Sequence, residues 1–176
     1  MHSATPARFA NVYYISMPNP RVEMAKELYE NAYRLQMQGD LELAAQFYRR
    51  SIELHPTAEA HTYLGWTYHY QGKVDEAIDE CKKAIVVDPT FGNPYNDIGA
   101  YLIERGQYDQ AIGWLEQALA SERYEAYHFP WYNLGRVYVA KELYTKAREC
   151  FRKSLEIEPR YALAEEALQK LRVLLQ

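Results

Sequence analysis

Ala58-Glu59-Ala60-His61-Thr62-Tyr63-Leu64-Gly65-Trp66-Thr67-Tyr68, followed by Gly72, Ala77, Ala84 and Pro89, is the stretch on which the fold turns. The unit it belongs to, residues 58–91, recurs. Ala32, Gly65, Gly99 and Gly135 fall into one column, at spacings of 33, 34 and 36 residues. Gly39, Gly72, Gly106 and Glu142 form a second column, and Ala44, Ala77, Ala111 and Ala147 a third. Pro56, Pro89 and Pro159 form a fourth. Repeats of that period are stacked supersecondary units, each unable to bury its apolar face alone.

Within residues 58–91 there are two apolar-periodic stretches, each long enough for a helix. Leu64, Gly65 and Tyr68 share one face of the first; Ala77, Cys81 and Ala84 share one face of the second. Small residues at Gly65 and Ala77 allow the two axes to cross closely. Gly72 supplies the permissive backbone of the turn, and Pro89 stops the second helix.

These columns resemble the tetratricopeptide repeat (TPR) family. Its pattern is met by Trp131, Leu134, Gly135, Tyr138, Ala147, Phe151 and Pro159, with Ser154 in place of the later Ala. The third unit reads Tyr95, Ile98, Gly99, Leu102, Ala111, Leu115 and Ala118. The first reads Leu28, Ala32, Leu35, Ala44, Tyr48, Ser51 and Pro56. The resemblance covers residues 25–161 of 176. It implies an all-α, right-handed α-solenoid of four helix-turn-helix repeats with a C-terminal capping helix.

The repeats are expected at 25–57, 58–91, 92–127 and 128–161. Their helices are expected near 23–37, 40–54, 58–71, 74–87, 94–105, from Tyr108 onward, 130–141 and 144–157. The cap is expected over 161–175, with Leu163, Ala167, Leu168, Leu171 and Leu175 on one stripe. The third repeat departs from the pattern: Arg123 stands where the stop proline falls elsewhere, and two extra residues follow. A longer helix end or a wider loop is expected there. Residues 1–22 read as a largely non-helical arm, apolar at Phe9, Val12, Tyr13, Tyr14 and Ile15. The arm is expected either to cap the first repeat or to lie in a groove, its own or that of a second copy. The latter offers a route to a homo-oligomer.

The bulk composition narrows the function. A net charge of −4 leaves no electrostatic footprint for nucleic acid. With no long apolar run, nothing spans a membrane. The sequence as written reads as cytoplasmic, or as periplasmic if a leader has been removed. Cys81 and Cys150 share a column two repeats apart, beyond disulfide reach, and read as small buried hydrophobes. The histidines have no metal-ligand spacing, and phosphate-binding or nucleophile motifs do not occur, so no cofactor, metal or catalytic residue is expected. His61 reads as a packing residue.

The excess of 17 tyrosines needs its own account. In TPR proteins the first helix of each repeat lines a concave face. The resemblance carries that face onto Tyr29, Tyr33, Thr62, Trp66, His69, Tyr70, Asn96, Phe129, Tyr132 and Arg136. Large stiff rings dominate binding hot spots, and Asn96 is expected to hydrogen-bond an extended backbone. The resemblance therefore implies a protein or peptide partner and no catalysis. Some TPR proteins clamp a carboxylate tail with cations. The matching positions here hold Tyr29, Tyr33, Tyr63, Asn93 and Asp97, or Thr62, Trp66, Asp97, Phe129 and Asn133. They lack the cations, so that ligand is not expected. The stretches Asn93-Pro94-Tyr95-Asn96-Asp97-Ile98-Gly99 and Tyr132-Asn133-Leu134-Gly135 also resemble bacterial PilF/PilW-type pilotins. That implies a role in assembling an envelope machine.

Overall fold

The computed structural model describes residues 19–174, so the arm over residues 1–18, with its readings as cap or groove occupant, lies outside the described residues. The described chain is helical throughout. Its order is α1 (Pro20–Met37), α2 (Leu41–Leu54), α3 (Ala58–Tyr70), α4 (Val74–Val87), α5 (Asn93–Glu104), α6 (Tyr108–Ala120), α7 (His128–Ala140), α8 (Tyr144–Ile157) and α9 (Ala162–Leu174). Each odd helix pairs with the even helix after it, and each even helix packs on the next odd one. The result is an α-solenoid of four hairpins ending on α9.

One cap geometry makes all four hairpin turns. Gly39, Gly72 and Gly106 have φ of 85°, 77° and 71°, and Glu142 adopts 58° in the fourth turn. The left-handed residue turns the next N–H back on the helix. Lys73 N donates to Tyr68 O at 2.9 Å, Gln107 N to Leu102 O at 2.8 Å and Leu143 N to Tyr138 O at 2.8 Å. This is the six-to-one bond that satisfies carbonyls at a helix end. Glycine adopts the conformation without penalty, whereas Glu142 costs roughly 1 kcal/mol.

The crossings inside the hairpins are tighter still. A Cβ on Gly65 would stand 2.9 Å from Ala77 O and 3.2 Å from Cys81 Sγ. On Gly99 it would meet Leu115 Cδ2 at 2.6 Å, and on Gly135 it would meet Phe151 Cε1 at 2.3 Å. Ala44, Ala77, Ala111 and Ala147 are fully buried beside these contacts. The later small column alternates in chemistry. Ala84 and Ala118 are plain filler, while Ser51 Oγ donates to Ala25 O at 2.7 Å and Ser154 Oγ to His128 O at 2.9 Å. Each serine ties its helix to the N-terminal part of its hairpin partner. An ionisable cluster does the same in the second repeat: His61 Nδ1 lies 2.7 Å from Glu80 Oε2, and Lys83 Nζ 2.6 Å from Glu80 Oε1. Burial pushes the Glu80 carboxyl up, and these two partners outweigh it, holding it below its ordinary range. His61 is thus a packing residue.

Two expectations change. First, α1 starts at Pro20, inside the stretch read as arm. Asn19 Oδ1 accepts from Arg21 N at 3.0 Å, and Pro20 occupies the first turn, where its missing N–H costs nothing. Second, α9 buries Ala164 and Leu171 and leaves Leu163 half exposed, so its packed stripe is set one residue later than expected at its start. Of the two outcomes expected after the third repeat, the wider loop forms: α6 ends at Ala120, and the extra residues lie in a loop, 121–127. That loop pairs with the preceding junction: Arg123 N donates to Thr90 O at 3.0 Å, and Gly92 N to Arg123 O at 3.1 Å. Tyr124 is buried against Gly92, where a Cβ would sit 2.5 Å from the tyrosine. The Arg123 guanidinium covers the Phe91 ring at 4.2 Å and reaches Asp88 and Glu59 at 2.8 and 2.6 Å. Exposed pairs of this kind contribute about 0–1 kcal/mol each, so Arg123 acts mainly as a positioner of three junctions.

Two alanine substitutions separate packing from backbone freedom. Gly135→Ala drives a methyl into the buried Phe151 ring and should cost about 1–3 kcal/mol. Gly113→Ala, within α6 and with nothing near its would-be Cβ, should gain about 0.5–1 kcal/mol. Urea unfolding midpoints measure both, with an unchanged slope as the control.

Candidate partner-binding groove

The odd helices α1, α3, α5 and α7 touch each other in succession, as well as their even partners. In a curved stack, the row whose members approach one another is the inner row. Its side chains form two aromatic strings separated by a polar section.

The first string spans the first three repeats. Tyr63 is its hub, with ring centroids 5.7 Å from Tyr29, 5.6 Å from Tyr33, 6.3 Å from Tyr48 and 5.8 Å from Trp66. Trp66 continues to Tyr70 at 5.4 Å. His69 stacks on Tyr101 at 4.4 Å, with planes 20° apart. Edge-to-face pairs at these separations add about 0.5–1.5 kcal/mol each beyond burial. Burial is the main reason the Tyr29, Tyr48 and Tyr63 phenols titrate above their usual range, so all stay neutral. A shallow cleft opens over Tyr29, Tyr33 and Tyr63, with Glu30 and Arg34 at its edge.

The second string lies at the other end. Phe129 contacts His128 at 4.0 Å and Tyr161 at 5.6 Å, and Tyr132 contacts Tyr161 at 5.2 Å and Phe151 at 5.7 Å. Burial pushes the Tyr161 phenol up to about 12 and lowers the His128 imidazole below its ordinary value. Arg136 lies over the Tyr132 ring at 6.0 Å.

Between the strings, Asn133 Nδ2 donates to Asn96 Oδ1 at 3.0 Å, and Arg136 donates to Asn133 Oδ1 at 3.0 Å. Asn96 Nδ2 makes a long contact of 3.4 Å with Asp97. Asp97 is partly buried, and loss of hydration pushes its carboxyl up to about 7; the Asn96 amide and the His69 charge offset this only in part.

Of the ten candidate residues, the structure brings Tyr29, Tyr33, Trp66, His69 and Tyr70 into the first string and Phe129, Tyr132 and Arg136 into or beside the second. Tyr33, Tyr70 and Phe129 are the open members, at 39%, 57% and 39% exposure. Two candidates are corrected. Thr62 is buried, and its hydroxyl donates to Ala58 O one turn back at 2.8 Å. Asn96 is buried, and its side-chain oxygen accepts from Asn133, so it serves the seam between repeats rather than facing outward. Sequence reasoning missed Tyr63, Tyr101 and Tyr161 as members of the strings. The tyrosine excess was their signal; nothing in the spacing singled them out. Among the described residues no group of His, Cys, Asp and Glu is placed to hold a metal, and no helix is long and apolar enough to cross a membrane. Cys81 and Cys150 are free and buried.

Known proteins resemble this chain along most of its length. Family models described as tetratricopeptide repeat match residues 58–91 and 129–161, and a second such model matches 80–113. The type IV pilus assembly protein PilF of Pseudomonas aeruginosa is 28% identical over 120 residues, which are 68% of this chain and 48% of that protein. Across the curated relatives it matches, the chain spans from about a fifth to about half of their length. A solved structure of Pseudomonas aeruginosa PilF superposes with a TM-score of 0.81 at 24% identity, covering 87% of this chain and 69% of that one, a likeness of fold. The first TPR of Spaghetti (RPAP3), bound to the HSP90 peptide SRMEEVD, gives 0.62 at 25% identity over 68% of this chain and 93% of that one.

The raised carboxyl of Asp97 makes a pH prediction. In the unfolded chain it releases its proton near its ordinary value of roughly 4, and in the folded chain near 7. Between those values the folded protein binds more protons, so this group removes stability as pH rises, and the penalty persists above 7. The groups facing it are His69 and Tyr63 on α3, Cys81 on α4, Tyr101 on α5 and Tyr124 in the 121–127 loop. Burial keeps the three phenols and the thiol protonated. Asp97→Asn should match the wild type at pH 4 and exceed it increasingly up to pH 8. Urea midpoints across that range measure the difference, which a constant offset would contradict.

Proposed function

Because the chain belongs to the tetratricopeptide repeat family, whose repeats mediate protein–protein interaction, we propose that it is a non-catalytic scaffold that binds an extended protein segment along its inner helix row. The observation that carries this reading is the pair of aromatic strings. Rings held edge to face by neighbours lose little freedom on binding, and those with one open face offer apolar contact and a phenolic hydroxyl together. Tyr33, Tyr70 and Phe129 each have an open face, the two tyrosines with a hydroxyl as well, and lie on three of the four inner-row helices α1, α3, α5 and α7. The buried Asn96–Asn133 pair belongs to the scaffold, fixing α5 against α7. The four repeats act as one domain with a single groove.

A second reading has a specific observation behind it. The similarity to PilF over 68% of the chain favours an assembly factor for a bacterial envelope machine, which would place the protein at the envelope. The two readings use the same groove and differ in the partner. Co-purification from cells assembling type IV pili, with pilus components enriched over cells that lack them, would support the second.

Exposed rings can be removed without disturbing the core, since surface substitutions usually change stability by less than about 0.5 kcal/mol. Tyr70→Ala and Phe129→Ala should each weaken a captured partner by about tenfold or more, with unfolding midpoints close to wild type. Pull-down with quantified recovery measures this. A partner retained equally by the double variant would place binding outside the groove.

A further inference from the structure

The polar section between the two strings contains a charge that the fold leaves uncompensated. Asp97 lies on α5, beside Asn96. Among the described residues no Lys, Arg or His lies within ion-pair distance of it: His69 pairs with Glu104 at 2.8 Å, and Arg136 bonds Asn133. Its one polar side-chain contact is the long one from Asn96. A carboxylate withdrawn from water is costly unless paired and hydrogen-bonded, so an unpaired one in a groove is a site where a ligand can recover that cost.

A second, independent observation points the same way. Tyr101, one helical turn after Asp97, is 4% exposed, and its hydroxyl has no hydrogen-bond partner. Nδ1 of His69, whose ring stacks on Tyr101, is likewise buried and without a partner. Buried polar atoms in native proteins are satisfied as a rule, and exceptions call for an explanation. Both lie beside Asp97, whose charge bears on Tyr101 while the His69 charge bears on Asp97. The raised carboxyl of Asp97 agrees with a site lacking its countercharge. The first string reaches this site at His69, which continues to Tyr70 at 5.8 Å and from there to Trp66 at 5.4 Å.

We infer that the groove selects an extended segment carrying a lysine or arginine, whose cation is seated on Asp97 between the two aromatic strings. This rests on the groove reading given above and names its ligand class. It is the charge opposite of the acidic SRMEEVD peptide held by the RPAP3 repeat structure. The arrangement supplies one carboxyl that an arriving cation holds ionised, and the rings of the two strings at each end for the stem and flanking side chains. A hydrophobic segment with a single central cation fits it, and an acidic one does not.

Three dodecapeptide libraries with random flanks test this, differing only in a central lysine, norleucine or glutamate. They are passed over the immobilised full chain at 0.15 M salt, where diffuse charge is screened beyond about 8 Å. The lysine library should be retained at least tenfold over the other two. Asp97→Asn should reduce lysine retention to the norleucine level and leave norleucine retention unchanged. Glu122→Gln, a surface acid outside the groove, should preserve the preference. The absence of a lysine preference, or its persistence in Asp97→Asn, overturns the inference. Tyr70→Ala reports on the underlying reading: it should lower retention of all three libraries alike. Retention of all three unaffected by Tyr70→Ala, or no retention at all, overturns the groove itself.

Discussion

The close crossing of the two helices in each hairpin is the constraint from which the rest of the molecule follows. At Gly65, Gly99 and Gly135 the partner helix occupies the space a Cβ would need. The facing residues differ: a backbone carbonyl and Cys81 in the second repeat, Leu115 in the third and Phe151 in the fourth. All three facing side chains are core residues, buried almost completely whatever their size. A crossing this tight sets the angle of each hairpin, and the common glycine-type turn sets its closure. Stacking four such units leaves the odd helices facing inward. Their first-turn and mid-helix side chains then converge without any long-range signal.

What the groove contains follows from how the inner row is satisfied. Where a tyrosine neighbours a tyrosine, edge-to-face contact holds the rings and leaves one face open. Where polar residues meet, at Asn96, Asn133 and Arg136, a hydrogen-bonded chain closes the seam between α5 and α7. That seam lies in the stretch where the repeat period lengthens. The added loop does not hang free: Arg123 pairs its backbone with the preceding junction and its guanidinium with Asp88 and Glu59. The insertion thereby becomes a strap from the third repeat back onto the second.

Much of this was legible in the sequence because repeats multiply weak signals. Gly72 alone is a turn glycine among many, but Gly39, Gly72 and Gly106 in register locate three turns, and the column alone places the fourth at Glu142. The even helices followed to within a residue or so, since the buried column Ala44, Ala77, Ala111 and Ala147 fixes their phase. The groove was legible at the level of helix faces and lost resolution at individual residues. Position on a face cannot tell whether a threonine bonds its own backbone, as Thr62 does, or whether an asparagine is claimed by the next repeat, as Asn96 is. Tyr63, the aromatic hub, occupies a position that matched only a carboxylate clamp the chain lacks. Its role depends on four neighbours from three helices, which no local pattern encodes. The 121–127 loop was readable as an insertion, whereas its pairing with residues 90–92 required the fold.

The central claim is that the inner row, and not the outer surface, meets the partner. Site-specific photocrosslinking reads that geometry directly. A benzophenone side chain replaces Phe129 on the inner row in one protein and Val86 on an even helix, 84% exposed, in another. Both are irradiated in the same lysate. Partner adducts from position 129 and none from position 86 are the predicted result. Adducts formed from position 86 and absent from position 129 would contradict the account.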